Sequence, residues 1–271
     1  MLRTRLITAA VLIPITVYLI YRGGLFYLLL VALLLTLAEI EFCQLMKRAG
    51  YQPVLAFGVG LLWVFLLDAQ FVNLGLLRPG LAAILFASLT WQLWRREGSP
   101  VADWSLTIVG GLYLGVCGAA LISLRNLPDG LWWALTAIAT IMLADTGALL
   151  VGRAWGRHKM APSLSPGKTW EGYLSGILTG ALSGVLLVML WLHWAGANTA
   201  LSVTHGLILG LILAVVAPLG DLAISMIKRS VGVKDTGRII PGHGGALDRV
   251  DSVLWAGVLS YYYVIWFVMG S

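Results

Sequence analysis

Nine apolar runs, each near the thickness of a bilayer core, recur along this 271-residue chain at 6–21, 25–42, 54–72, 80–94, 104–124, 131–151, 173–195, 204–224 and 253–270. A membrane-crossing helix needs about 20 mostly apolar residues, with roughly 17 to 25 as the usual range. Hydrophobic residues make up 59% of the chain, charged residues only 11%, and the mean hydropathy is +0.90. A soluble domain of this length does not carry such a composition. The expected fold is therefore all-α: a polytopic integral membrane protein of about nine transmembrane helices with two polar loops. Asp68 falls inside the third run, and several runs are short, so one segment is a candidate for a re-entrant helix.

The basic residues give the runs a direction. With nine spans, one face receives Arg3, Arg5, Lys47, Arg48, Arg95, Arg96, Arg153, Arg157, Lys159, Lys168, Lys228, Arg229, Lys234, Arg238 and Arg249; the other receives only Arg22, Arg78 and Arg125. An excess of Lys and Arg marks the cytoplasmic side. The N-terminus and both polar loops, 152–172 and 225–252, are thus expected in the cytoplasm. The net charge of +6 follows from this topology and from anionic lipid headgroups, without a nucleic-acid partner. The first run, behind Arg3 and Arg5, is expected to be a retained helix, because no small-residue cleavage site follows it. Cys43 and Cys117 fall in or beside apolar runs and do not form a disulfide framework. Residues 1–130 read as scaffold and 131–271 as the region that carries chemistry. Glu39 and Glu41, near Lys47 and Arg48, read as a solvated helix end with local ion pairs.

The 225–252 loop is the least lipid-like part of the chain. Ser225 to Asp251 holds five basic residues, three acids, a histidine and five glycines between two apolar runs. If the eighth helix continues into it, Asp221, Ser225 and Lys228 or Arg229 share one helical face at i, i+4 and i+7 or i+8. Asp248 and Asp251, at i and i+3, share a face where the last run begins. Three carboxylates at helix ends suit a hard cation, and oxygen-only ligation points to magnesium. Gly242, Gly244 and Gly245 around His243 allow backbone N–H groups to approach an anion. Each residue also has a simpler reading. Asp251 before Ser252 can cap a helix, His243 can be a structural donor, and Lys228, Arg229 and Arg249 can be membrane-face anchors.

The loop that follows Asp145 adds Arg153, Arg157, His158, Lys159 and Lys168 on a backbone shaped by Pro162, Pro166 and Gly167. Clustered cations on such a backbone suit a polyphosphate, although positive loops are ordinary on a cytoplasmic face. Asp145 itself lies about two turns inside its run, a costly position for a carboxylate.

At these residues the sequence resembles the phosphatidate cytidylyltransferases, the CDP-diacylglycerol synthases. Their signature runs S-x-x-K-R, four residues, K-D, then H-G-G-x-x-D-R-x-D. Here it reads Ser225, Lys228-Arg229, Lys234-Asp235, His243-Gly244-Gly245, Asp248-Arg249 and Asp251, with every spacing met. Upstream, Asp145-Thr146, Gly152-Arg153, His158-Lys159 and Ser165-Pro166-Gly167-Lys168-Thr169-Trp170-Glu171-Gly172 are similar to the family as well. Ala246 stands where a larger aliphatic residue is usual, Leu149 where tyrosine is expected, and Gly167 where lysine is common.

The resemblance implies conversion of CTP and phosphatidic acid to CDP-diacylglycerol and pyrophosphate, at the cytoplasmic face of a bacterial inner membrane. It implies Asp221, Asp248 and Asp251 as holders of one or two magnesium ions, and a catalytic set completed by Lys228 and Arg249. Substrate contacts are expected from Asp145, Ser165, Lys168, Thr169, Ser225, Arg229, Lys234, Asp235, His243, Gly244 and Gly245. A homodimer is also implied. The alternatives are an ion-coupled secondary transporter using Asp68, Asp145 and Asp221, or transfer from CTP to another lipid phosphate. A transporter would place its site near the midplane, whereas these charges gather on one face.

Overall fold

Each apolar run becomes a helix in the computed structural model, which describes residues 2–95, 98–196, 199–237 and 244–270. The helices are α1 (Leu2–Arg22), α2 (Gly24–Arg48), α3 (Leu55–Gln70), α4 (Leu77–Trp94), α5 (Pro100–Asn126), α6 (Gly130–Trp155), α7 (Trp170–Trp191), α8 (Val203–Ser230) and α9 (Leu247–Tyr263), the last extended by a π-helical turn over Val264–Val268. Among the described residues, α2, α5, α6, α7, α8 and the α9 segment are long and apolar enough to cross a membrane, while Ala10–Arg22 and α3 are shorter apolar helices. This is the all-α, polytopic architecture expected. α2 and α8 both continue well past the C-terminal ends of their apolar runs, and α8 so carries Asp221, Ser225, Lys228 and Arg229 as helix.

The loop after α6 is not wholly irregular. Lys159–Ala161 (β1) and Ser165–Thr169 (β2) form an antiparallel hairpin, with Lys159 opposite Thr169 and Ala161 opposite Ser165. Pro166 is tolerated because a two-stranded ribbon has an unpaired edge.

The chain divides into two compact units, Met1–Ser123 with Ile227–Val250, and Leu124–Met226 with Asp251–Ser271. In the first, α5 lies hard against its neighbours. A Cβ at Gly111 would meet the backbone of Gly58 on α3, and one at Gly118 would meet Leu35 of α2 and Leu66 of α3. Leu35, Leu61, Leu62, Leu66 and Leu114 form the dry centre. Asp68 accepts the Leu77 N–H at 2.9 Å and so holds the first turn of α4. Cys43 and Cys117 are free and buried.

In the second unit, α7 carries glycine at every fourth position, Gly172, Gly176, Gly180 and Gly184. A Cβ at Gly176 would press on Ala148 of α6, and one at Gly184 would enter the Gly206 backbone of α8. Removing side chains lets helices approach closely and gain dispersion contacts, the main attraction available in lipid. The opposite face of α7 presents Leu174, Leu178, Leu182 and Leu186, each more than half exposed. An uninterrupted apolar ridge of this kind calls for cover by hydrocarbon or by another protein. Cross-links between helix ends are polar: Asp129 accepts from Thr199 and the Ala200 N–H, and His205 bonds the Tyr263 hydroxyl at 2.8 Å.

Candidate active site

The polar residues of the second unit gather where β2, α6 and α8 supply them. Thr169 ends the hairpin and caps α7, its hydroxyl accepting the Gly172 N–H at 3.2 Å. It is buried, packed by Gly152, Gly156 and Gly172, each of which would carry a Cβ into its space or close to it. That fixes the preceding residue, Lys168, whose ammonium meets Asp221 Oδ2 at 2.8 Å and the Pro218 carbonyl at 3.1 Å. Pro218 sits inside α8 and removes one donor from its ladder. Nearby carbonyls are then taken by side chains, Pro218 O by Lys168 and Val215 O by the Tyr173 hydroxyl. Asp145, exposed on α6, lies within electrostatic range of both Lys168 and Asp221. Asp221 thus pairs with that ammonium directly, and Asp145 lies in its field.

Ser225, one turn beyond Asp221, turns its hydroxyl toward that acid at 3.4 Å. Gly220 matters for a different reason: a Cβ there would lie 2.8 Å from the Asp251 carbonyl and 2.9 Å from Trp255. The absence of that side chain lets α9 lie along α8 beside Asp221. Asp251 is in the second turn of α9, not at its start, and its Oδ1 accepts the Ser252 N–H at 2.6 Å. Ser165 is half-buried on β2, and His158, exposed, bonds Glu171 at 2.6 Å.

The first unit holds the other polar cluster. Lys228, at the end of α8, meets Asp248 Oδ1 at 2.6 Å. Asp248 Oδ2 accepts from the Thr236 N–H at 2.9 Å, the Thr236 hydroxyl at 3.0 Å and the Gly245 N–H at 3.2 Å. Gly244, with φ +81°, gives the turn that brings Gly245 round; its missing Cβ would stand 3.3 Å from Asp248. Arg229 donates to the Val233 carbonyl at 3.1 Å, and Arg249 is exposed on the first turn of α9. Lys234 and Asp235 are exposed in the following turn, and Ala246, the small residue at a position where larger ones are usual, is fully buried. His243 and Gly242 lie outside the described residues.

Glu39 and Glu41 correct the expectation of a solvated helix end. Both are fully buried. Glu39 packs on Gly58 and Gly110 and accepts the Cys43 thiol at 3.6 Å. Glu41 Oε2 accepts the Thr236 hydroxyl at 2.8 Å and the Leu247 N–H at 3.0 Å. The nearby Lys47 and Arg48 made ion pairing look sufficient. The one available signal was placement, since both acids fall inside the apolar run 25–42.

Carboxylate oxygens are the right donors for magnesium, which commonly takes one or two of them and completes its shell with phosphates and water. Among the described residues no group of three or more His, Cys, Asp and Glu side chains stands ready to hold a metal ion. Lysine ammonium groups already neutralise Asp221 and Asp248. The donor chemistry fits the ion, and any such site would be completed by a phosphate ligand.

Comparison with known proteins identifies the family. The cytidylyltransferase family matches residues 3–267. The chain belongs to that family. It is 32% identical to the phosphatidate cytidylyltransferase of Synechocystis, with 96% of each chain aligned. It is 30% identical to that of Bacillus subtilis, over 96% of this chain and 97% of the relative. With that of Staphylococcus saprophyticus it shares 34%, over 94% and 95% respectively. The match thus reaches from α1 to α9 and takes in both polar clusters.

Proposed function

We propose that this protein transfers the cytidylyl group of CTP to phosphatidic acid, giving CDP-diacylglycerol and pyrophosphate. The observation that carries this reading is similarity to phosphatidate cytidylyltransferases over nearly the whole chain. The site would face the cytoplasm of a bacterial inner membrane, where CTP arrives from water and the lipid keeps its tails in the bilayer. The bias of basic residues toward one face supports that orientation.

A phosphate oxygen of phosphatidic acid would attack the α-phosphorus of CTP in line. The new P–O bond forms as the bond to pyrophosphate breaks, and no side chain needs to become a nucleophile. Both reactants are anions, so the work of the chain is positioning and charge neutralisation. Lys168 would exchange its carboxylate partner for phosphate oxygens, with Lys228, Arg229 and Arg249 adding positive charge. Ser165, Thr169, Ser225, Lys234, Asp235, His243, Gly244 and Gly245 would border the substrates, as the family resemblance implies. Asp145, Asp221, Asp248 and Asp251 would be left to balance cations. Asp221, Asp248 and Asp251 would hold one or two magnesium ions, which supply charge neutralisation at the triphosphate when bound. We also propose a homodimer, as the family resemblance implies.

The test is a transfer assay on purified protein with labelled CTP, phosphatidic acid in mixed micelles and magnesium, with and without EDTA. Label should enter the organic phase with stoichiometric pyrophosphate, and EDTA should stop it. Absence of lipid label across several phosphatidic acids would overturn the assignment. Transfer unaffected by EDTA would remove the metal from it.

A further inference from the structure

Glu41 is the buried group that the transfer reaction does not employ. It comes from α2, and its hydrogen-bond partners Thr236 and Leu247 lie 195 and 206 residues away in sequence. Its Oε2 accepts both bonds. Its Oε1 has no hydrogen-bond partner among the described residues and rests against Gly237, while Oε2 rests against Gly245; a side chain at either glycine would collide with the carboxylate. A buried carboxylate oxygen without a partner is costly. Packing alone does not account for an acid here, because an apolar residue of similar size would avoid that cost.

What the acid does provide is a clamp at both ends of the segment that presents Asp248. At Leu247 it takes an N–H from the first turn of α9, one residue before Asp248. At Thr236 it takes a hydroxyl that also lies 3.0 Å from Asp248 Oδ2. That hydroxyl has one hydrogen to share between two carboxylates. The orientation of the Thr236 side chain, and so the donors around Asp248, is set by Glu41.

We infer that Glu41 is a positioning residue for the cytidylyl transfer, acting through Thr236 and the start of α9 to hold Asp248 and its partner Lys228 in a fixed orientation. This rests on the proposed function for its kinetic consequence, but the clamp itself does not. Glu41 touches no reacting atom, so its loss lowers kcat and leaves KM for both substrates nearly unchanged. A misplaced group can cost on the order of a hundredfold in rate.

The experiment uses the full-length protein in detergent micelles, with Glu41→Ala, Glu41→Gln, Thr236→Val and Thr236→Ser compared by transfer kinetics and by hydrogen exchange at the Thr236 and Leu247 amides. Glu41→Ala and Thr236→Val should each lower kcat by about a hundredfold with KM within about twofold, and the double variant should fall no further. Glu41→Gln and Thr236→Ser, which keep an acceptor and a hydroxyl, should recover most of the rate. Both amides should exchange faster in Glu41→Ala. Should that variant not fold, Glu41→Met, of similar size and without an acceptor, takes its place in every comparison. An unchanged kcat, a loss expressed in KM, or no recovery by Thr236→Ser would overturn the inference. If the wild-type protein shows no cytidylyl transfer, the proposed function falls, while unchanged amide exchange in Glu41→Ala is what would defeat the clamp.

Discussion

Two lysine–carboxylate pairs, one in each unit, use the same chemistry in different surroundings. Lys228–Asp248 is closed: the side chains are 10% and 9% exposed, and Asp248 takes three further donors. Lys168–Asp221 is open: the side chains are 25% and 33% exposed, and its ammonium is shared with a backbone carbonyl and lies near a second acid, Asp145. Charges leaving water must be compensated by partners, and a closed pair that loses one partner leaves the other stranded. An open pair loses little when it separates, because water replaces the partner. The closed pair therefore fits a fixed framework, and the open one fits a group that changes partner when an anion arrives.

The comparison is broken most directly at Asp248. Asp248→Asn strands Lys228, so unfolding should become easier by about 3–5 kcal/mol. Transfer should fall below detection in protein that still folds at the assay temperature. Thermal melting in detergent and the transfer assay read the two effects, and near-normal turnover would remove Asp248 from the chemistry. Next in size is the scaffold beneath the open pair. Gly184→Leu forces a side chain into the Gly206 backbone, and overpacking of this kind costs about 1–3 kcal/mol. Melting should fall accordingly, with activity lost only as the protein unfolds.

Lys168→Ala sharpens the contrast, since it removes the partner from the open pair. KM for CTP should rise by about tenfold, the worth of one charge-assisted hydrogen bond, while stability shifts by no more than about 1 kcal/mol. A large drop in melting temperature here would erase the distinction between the two pairs. The smallest effect is expected at Thr169→Ala. Loss of the α7 cap costs about 1 kcal/mol, and rescue by Thr169→Ser would show that the hydroxyl, not the methyl, is the working part.

Much of this molecule was legible before its structure. Apolar runs located α1 to α9 among the described residues, and the i, i+4, i+7 spacing of Asp221, Ser225 and Lys228 holds because α8 does continue to Ser230. The short hairpin over 159–169 was not foreseen, since three- and five-residue strands leave no clear alternation to read. The glycine at every fourth position of α7 was visible as spacing but not recognised as the helix contact it makes. Asp68 was legible as an acid that needs a partner; that the partner is a backbone N–H nine residues on was not.

The sequence alone determined the class of protein, the helices and the residues that carry charge, because hydropathy over a bilayer's width and spacing along a helix are local properties. Tertiary structure alone decided which lysine answers which acid, and that Glu41 belongs to the Asp248 cluster instead of to solvent. Those pairings join positions up to 206 residues apart. They depend on which helix faces approach, a matter of packing that leaves no spacing rule in the chain.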